Sequence, residues 1–332
     1  MKLHKSIIIF VFLVCGCSAP IKNYTNSLYV NSTSYKFIDE LLKPDNEQDS
    51  SVELLVWVSL PDPVKFQAPY PAVVLLHSSW GLSSQESFYS KVFADMGIAV
   101  YVIDSFSPRG VGKTSLDQSL VSSASMIQDA YQVLNYLQNL PEINNKKIAV
   151  MGFSKGGIAA FYSAFDEIKS AVSENKDAMF AAHVAYYPWC GIRLQNMKTT
   201  SKPILIQGGG KDTITPVEKC VQLAEEELSV EEKYFVAIKT HINARHAFDH
   251  PLLSKIPIPI SLNAQVPGLC EIQQNENGSF IETYKEIEVT SRNIKTVLEN
   301  CSTFNGVAGY NDDASQAALI ITQQFLSRYL LQ

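Results

Sequence analysis

Val150-Met151-Gly152-Phe153-Ser154-Lys155-Gly156-Gly157 has the form G-x-S-x-G and stands where a short buried strand, residues 148–151, gives way to an apolar helix start, residues 158–165. A serine in such a strand-to-helix turn takes a strained backbone conformation, and its flanking residues must be small to clear the neighbouring strand and helix. Gly152 and Gly156 supply that room. The turn lifts the Ser154 hydroxyl above the sheet edge, while the helix start behind it aims free N–H groups, Lys155 first, at any anion that forms there. That describes a nucleophile with half an oxyanion hole. A Gly-Ser turn that merely joins two elements has the same pentapeptide, so the rest of the chain must decide between the two.

Outward from the serine, apolar strands alternate with helical patterns. Residues 52–58, 72–77, 97–104, 181–187, 203–207 and 233–238 read as strands, the last of these closing the core sheet. Residues 85–96, 122–139, 217–228 and 315–331 read as helices, and 105–112 as a loop. Continuous apolar runs such as 72–77 belong to parallel strands covered on both faces. The alternation predicts a doubly wound, mostly parallel α/β sheet with helices on both faces, and right-handed crossovers then put every loop after a strand at one edge. Residues 251–312 break the pattern. Pro257-Ile258-Pro259, the Asn277-Gly278 turn and two cysteines predict a bridged insertion with a small hairpin.

Serine needs a base to take its proton and a third group to fix that base, and on this architecture the chain order is Ser, acid, His, each after a strand. Asp212 follows the 203–207 strand through Gly208-Gly209-Gly210-Lys211, and His246 follows the 233–238 strand in Ala244-Arg245-His246-Ala247-Phe248. Asp212 could also cap a turn ahead of Thr213 and Pro216, and His246 could be a buried structural histidine. Asp104, at the end of an earlier strand, is a competing acid. Ser78-Ser79-Trp80-Gly81, after His77, is placed to give the second oxyanion N–H, that of Ser79, with Ser78 and Trp80 beside the substrate. His241, His246, Asp249 and His250 match no metal-ligand spacing, so no metal and no cofactor is expected.

Composition bounds the partners. A chain of 332 residues that is 46% hydrophobic buries a large core, and a net charge of -6 without a basic patch argues against nucleic acid. Lys2 and Lys5 precede an apolar run at 7–14, too short for the roughly 20 residues of a membrane span but suited to a signal peptide. Leu13-Val14-Cys15-Gly16-Cys17 resembles a bacterial lipobox, so residues 1–16 are expected to be removed and Cys17 lipidated, anchoring an exported protein in the cell envelope, at the outer membrane or in the periplasm. An ordinary secretory signal cleaved nearby is the alternative. Residues 17–50, polar and without clear period, read as a tether, and 51–332 as the folded domain. Cys190, Cys220, Cys270 and Cys301 remain; four cysteines allow three connectivities, and free buried thiols are also open. Pairing Cys190 with Cys220 and Cys270 with Cys301 is preferred, because the second pair brackets the insertion.

Taken together, Leu76-His77-Ser78-Ser79-Trp80-Gly81-Leu82, Asp104-Ser105-Phe106-Ser107-Pro108-Arg109-Gly110, Gly152-Phe153-Ser154-Lys155-Gly156-Gly157, Gly210-Lys211-Asp212 and Arg245-His246-Ala247-Phe248 resemble the dienelactone hydrolase family. The resemblance runs over residues 52–250 and resumes in the last helix. It implies an α/β-hydrolase fold and attack on an ester or lactone carbonyl by the Ser154, His246 and Asp212 triad. Three departures accompany it. Ser154 stands where dienelactone hydrolases proper carry cysteine; Ser78 lies near the place of a family acidic residue; and Asp249 and His250 occupy the place of a substrate-binding arginine after the histidine. Arg109 is left either to bind a substrate anion or to order its own loop. The expectation is an exported serine hydrolase working on a small-molecule ester or lactone through an acyl-enzyme. A catalytically silent surface lipoprotein that binds a ligand or partner is the alternative, and acyl transfer or peptide cleavage could use the same triad.

Overall fold

Successive residues of the central strands point into two different hydrophobic cores, which is why those strands read as unbroken apolar runs. Ala72, Val74 and Leu76 face one core and Val73 and Leu75 the other; the same alternation separates Ile148 and Val150 from Ala149 and Met151. Each fully buried Val, Leu, Ile or Met among them contributes roughly 1.5–3 kcal/mol. The computed structural model describes residues 24–43, 50–173, 175 and 177–332.

The chain runs β1 (Asn26–Thr33), α1 (Ile38–Leu42), β2 (Ser51–Ser59), β3 (Tyr70–Leu76), α2 (Ser84–Asp95), β4 (Ala99–Asp104), α3 (Ser123–Leu137), β5 (Ile143–Phe153), α4 (Lys155–Tyr162) and α5 (Asp166–Val172). It continues through β6 (Ala182–Tyr186), β7 (Ile192–Arg193), β8 (Ile204–Gly209), α6 (Val217–Glu227), α7 (Val230–Lys233) and β9 (Val236–His241). The expected insertion then holds β10 (Ile260–Leu262), β11 (Ile272–Gln274), β12 (Phe280–Glu282), β13 (Ile287–Val289), α8 (Ile294–Cys301) and β14 (Gly306–Ala308), and α9 (Asp312–Leu326) closes the fold. The main sheet has eight strands in the order β1-β2-β4-β3-β5-β6-β8-β9. From β4 to β9 all neighbours are parallel, and β1 and β2 add antiparallel pairs at one edge. Helices α3, α4 and α6 contribute to one core, α2 and α9 to the other. This is the expected α/β-hydrolase architecture, and it puts the loops after β3, β5, β8 and β9 at one sheet edge.

Helix ends follow local chemistry. Ser83 starts α2 with a capping box, its hydroxyl accepting from Gln85 N–H while Glu86 accepts from Ser83 N–H. Ser122 caps α3 by accepting from Ser125 N–H.

Three readings need correction. The described part of the 17–50 tether carries β1 and α1, and all of β1 pairs with β2, from Asn26 opposite Val58 to Thr33 opposite Ser51. Its inward face holds only Leu28, Val30 and Ser32, and Ser32 donates to buried Asp129 at 2.6 Å, so a polar residue sits in a core position and hides the strand's period. The last core strand lies at Val236–His241 rather than 233–238, since Lys233 ends a short helix and the edge strand exposes alternate residues. The helix after the serine begins at Lys155, at once after the turn, not at 158. The signal segment and Cys17 lie outside the described residues. Among the described residues, no helix is long and apolar enough to cross a membrane.

Both disulfides take the preferred pairing, Cys190–Cys220 and Cys270–Cys301. The insertion's hairpin, β11 and β12, turns at Asn277-Gly278, where Gly278 takes the left-handed φ of 79°. Strand β11 also lies parallel to β7, which ties the insertion to the body just after Cys270.

Candidate active site

Ser154 sits between β5 and α4 with φ 51° and ψ -110°, a conformation that a residue with a side chain adopts only under constraint from its surroundings. The constraint is steric. A Cβ on Gly152 would lie 2.1 Å from the Gly156 carbonyl oxygen, and one on Gly156 would lie 2.5 Å from that of Leu76. The α4 backbone therefore packs directly on β5 and β3. The first N–H groups of α4 have no partner inside the helix, and such a helix start favours an anion placed before it.

His246 reaches Ser154 from the loop after β9. Its Nε2 lies 3.0 Å from Ser154 Oγ and its Nδ1 2.8 Å from Asp212 Oδ2. A carboxylate on Nδ1 fixes the proton there and leaves the Nε2 lone pair to accept from the serine hydroxyl. Asp212 does both things open to it in the sequence. Its Oδ1 caps the turn, accepting from Ile214 N–H at 2.8 Å and Thr215 N–H at 3.0 Å, while its Oδ2 meets the imidazole. The His246 loop is clamped by the end of the insertion: His246 bridges Ala308, and its carbonyl accepts from Gly309 N–H.

The loop after β3 is braced from another side. Gly81 N–H donates to Ser78 O in a tight turn, Ser78 Oγ accepts from Trp80 N–H, and Ser79 Oγ donates to Gln118 Oε1 at 3.0 Å. Gly81 takes φ 79°, and a Cβ there would lie 2.6 Å from the Gly112 carbonyl oxygen. Ser79 lines the space on both sides of Ser154, whereas Ser78 and Trp80 line only the side nearer His246.

Arg109 is placed elsewhere. Its guanidinium forms a bidentate pair with Asp129, both bonds at 2.8 Å, and donates to Ser34 Oγ and Ser105 O, with its side chain 8% exposed. It lines neither cleft beside Ser154, so the substrate-anion reading is replaced by the structural one: Arg109 orders its loop and ties β1 to α3. Asp104 likewise caps its own loop, accepting from Phe106 and Ser107 N–H. The residues weighed as a metal cluster turn to different partners: His241 Nε2 to Gln207, His246 to Asp212, and Asp249 to two tyrosines. Among the described residues, no group of three or more His, Cys, Asp or Glu side chains could hold a metal ion.

The sequence pointed neither to Thr215 and Tyr187 nor to the roles that Asp249, His250 and the Lys155 side chain take. Thr215 Oγ lies 3.1 Å from both Asp212 Oδ2 and His246 Nδ1 and donates to Tyr187 O at 2.9 Å. Asp249, fully buried, accepts from Gln85 Nε2 and Tyr89 OH on one oxygen and from Tyr187 OH on the other. Burial pushes its carboxyl above the usual range, only partly offset by those three donors. The Tyr187 ring, at φ 39°, stands edge-on to His246 with centroids 4.8 Å apart. The Lys155 amine is buried beneath the serine and donates to Gln118 O at 2.7 Å and Val121 O at 2.5 Å; burial pushes it down to about 7. His250 meets Trp80 edge to face, and burial pushes it down to about 4. The one available signal for Thr215 was its place three residues after Asp212 in a turn. The partners of Asp249 are far away in sequence and left no local trace.

The chain's likenesses to known proteins bear on its family and its fold. The sequence profile of the dienelactone hydrolase family matches residues 58–265, more than half of the chain. No curated protein matches the sequence. Among solved structures, a Klebsiella pneumoniae protein assigned as a dienelactone hydrolase superposes with a TM-score of 0.52 at 12% identity, covering 91% of this chain and 100% of that one. A dienelactone hydrolase-like promiscuous phosphotriesterase from metagenomic libraries gives the same TM-score at 16% identity, covering 92% of this chain and 98% of its own. At those identities the two structures speak for the fold, and the profile match speaks for descent. The chain belongs to the dienelactone hydrolase family.

Proposed function

We propose that this member of the family is an exported serine hydrolase that cleaves an ester or lactone through an acyl-enzyme, with Ser154 as nucleophile, His246 as base and then acid, and Asp212 as the group that orients the imidazole. Family membership makes the chain a carboxylic ester hydrolase. The single observation that carries the finer reading is the unbroken run of hydrogen bonds from Asp212 through His246 to the Ser154 hydroxyl, on a serine held at positive φ.

In the first half-reaction His246 Nε2 takes the proton of Ser154 as Oγ bonds to the carbonyl carbon. The carbonyl oxygen, now negative, accepts from the N–H groups of Lys155 and Ser79. His246 then returns the proton to the leaving oxygen as the ester C–O bond breaks. Water repeats the sequence on the acyl-enzyme, and the free acid departs.

Export and a lipid anchor at Cys17 form part of the same proposal. They are supported by Leu13-Val14-Cys15-Gly16-Cys17 and by two disulfides, a usage expected of an oxidising compartment. A fluorophosphonate probe tests the chemistry. It is expected to label the protein covalently, and Ser154→Ala is expected to abolish labelling and to lower ester turnover by several orders of magnitude. A folded protein that takes no label would point instead to the silent binding lipoprotein.

A further inference from the structure

Two clefts meet at Ser154, and they differ in chemistry. The larger, about 90 Å³, is walled by Ile158, Trp189 and Ile192 from the body and by Ile272, Ile294 and Leu298 from the bridged insertion. The smaller, about 40 Å³, is walled by His246 together with Trp80, Gln85, Tyr187, His250 and Leu262. Ser79, Gln118, Ser154, Ile214 and Gln265 border both, so a substrate whose carbonyl lies at Ser154 must send one end into each.

Proton bookkeeping decides which end goes where. Ser154 Oγ bonds to the carbonyl carbon while the C–O bond to the alcohol breaks, and the alkoxide that departs must take its proton from His246 Nε2. The leaving alcohol therefore has to lie on the His246 side. His246 lines the smaller cleft and not the larger. On the triad reading above, we infer that the larger cleft is the acyl pocket, that it takes an uncharged hydrocarbon acyl group, and that the disulfide-bridged insertion supplies its outer wall.

The lining disfavours a charged acyl group. A carboxylate moved among those isoleucines would lose its hydration, and the buried unpaired donor of the wall, Trp189 Nε1, offers it one neutral hydrogen bond and no compensating charge. The Lys155 amine borders the pocket, but it is directed at the Gln118 and Val121 carbonyls, and Arg109 is paired with Asp129 away from both clefts. Lys36, the other cation of the lining, is exposed, so water and salt screen its charge. The wall itself is held rigidly: Cys270 and Cys301 are bonded, β11 lies on β7, and Phe37 meets Phe280 edge to face.

The test uses the full chain with nitrophenyl esters of acetic, butyric and hexanoic acids and with the nitrophenyl half-ester of adipic acid, whose chain ends in a carboxylate. A second series varies the alcohol of hexanoate esters from methyl to naphthyl. Hexanoate is expected to exceed the half-ester in kcat/KM by about tenfold or more, the scale on which an apolar pocket discriminates. Leu298→Trp is expected to lower the hexanoate-to-acetate ratio about tenfold without reordering the alcohols, and Leu262→Trp to reorder the alcohols without changing the acyl ranking. If Leu298→Trp melts early, Ile294→Ala gives the opposite reading, a shift toward longer acyl chains. A half-ester preferred over hexanoate, or an acyl ranking that follows Leu262→Trp rather than Leu298→Trp, overturns the pocket assignment in an enzyme that still labels at Ser154. Loss of both labelling and turnover in the wild type brings down the triad reading and this inference with it.

Discussion

Thr215 is where acid, base and backbone meet. Its single hydroxyl proton can serve Tyr187 O or Asp212 Oδ2 but not both, and its oxygen lies 3.1 Å from His246 Nδ1. Either way it limits the rotation of the imidazole at Nδ1, the nitrogen that also meets Asp212. Thr215→Val keeps the shape and removes the hydroxyl. The expected result is a fall in kcat of about tenfold with KM little changed, since about 1.4 kcal/mol of transition-state alignment is lost. Thr215→Ser is expected to restore most of the rate. Steady-state kinetics on both variants checks this, and an unchanged kcat in Thr215→Val, or no recovery in Thr215→Ser, would show that the hydroxyl alone does not carry the effect. At this scale Ser154, Asp212 and His246 were legible from one short motif and a fixed chain order. Thr215 was not, because its partners lie 28 and 31 residues away and only folding brings them near.

Among the elements, legibility tracked burial. Strands covered on both faces, β3, β4, β5, β6 and β8, stand out as apolar runs, whereas the edge strands β1 and β9 expose alternate residues and were missed or misplaced by three residues. The insertion was visible as a break with its bridge and hairpin turn, but its contribution to the cleft was not, since no local pattern tells which way a loop folds back. Arg109 illustrates the same limit. Read as a possible anion site, it instead joins the β4 loop to α3 and to Ser34 beyond β1. Removing one partner of a buried pair leaves a buried charge uncompensated, so Arg109→Met is expected to destabilise by roughly 3–5 kcal/mol in denaturant unfolding. Asp129 would keep only the Ser32 hydroxyl. Turnover per folded molecule is expected to stay near wild type, because Arg109 borders neither cleft. A higher KM for carboxylate-bearing esters with unchanged stability would restore the anion-binding role.

For the whole molecule, the buried titratable groups set how folding responds to acid. Burial pushes His183 down to about 3 and His250 down to about 4, and lowers His77 and half-buried His241 as well. A depressed histidine stabilises the fold fully above its unfolded pKa near 6.5, and that stability is lost as pH falls toward the folded value, because the unfolded chain binds the extra proton. Each fully engaged group then contributes a slope of about 1.4 kcal/mol per pH unit. Buried Glu86 acts the other way. Its carboxyl is pushed up to about 7, so its contribution is complete below the unfolded value of 4.5 and is lost as pH rises through about 7. Asp249 shares that sign, though its window opens lower, from an unfolded value of 3.8. Between pH 4.5 and 6.5 four histidines therefore oppose two carboxyls, with His241 discounted for its exposure, and the histidines win. Unfolding free energy measured in urea is expected to fall steadily across that interval on acidification. His183→Gln should flatten the dependence by about one group's slope and Glu86→Gln should steepen it by a similar amount. The two substitutions lie in different cores and share no partner, so their effects on the slope should add. A wild-type stability that is level or rises toward pH 4.5 would mean that the histidines are protonated in the folded state, and with it that their burial is relieved by water or by motion around the rings.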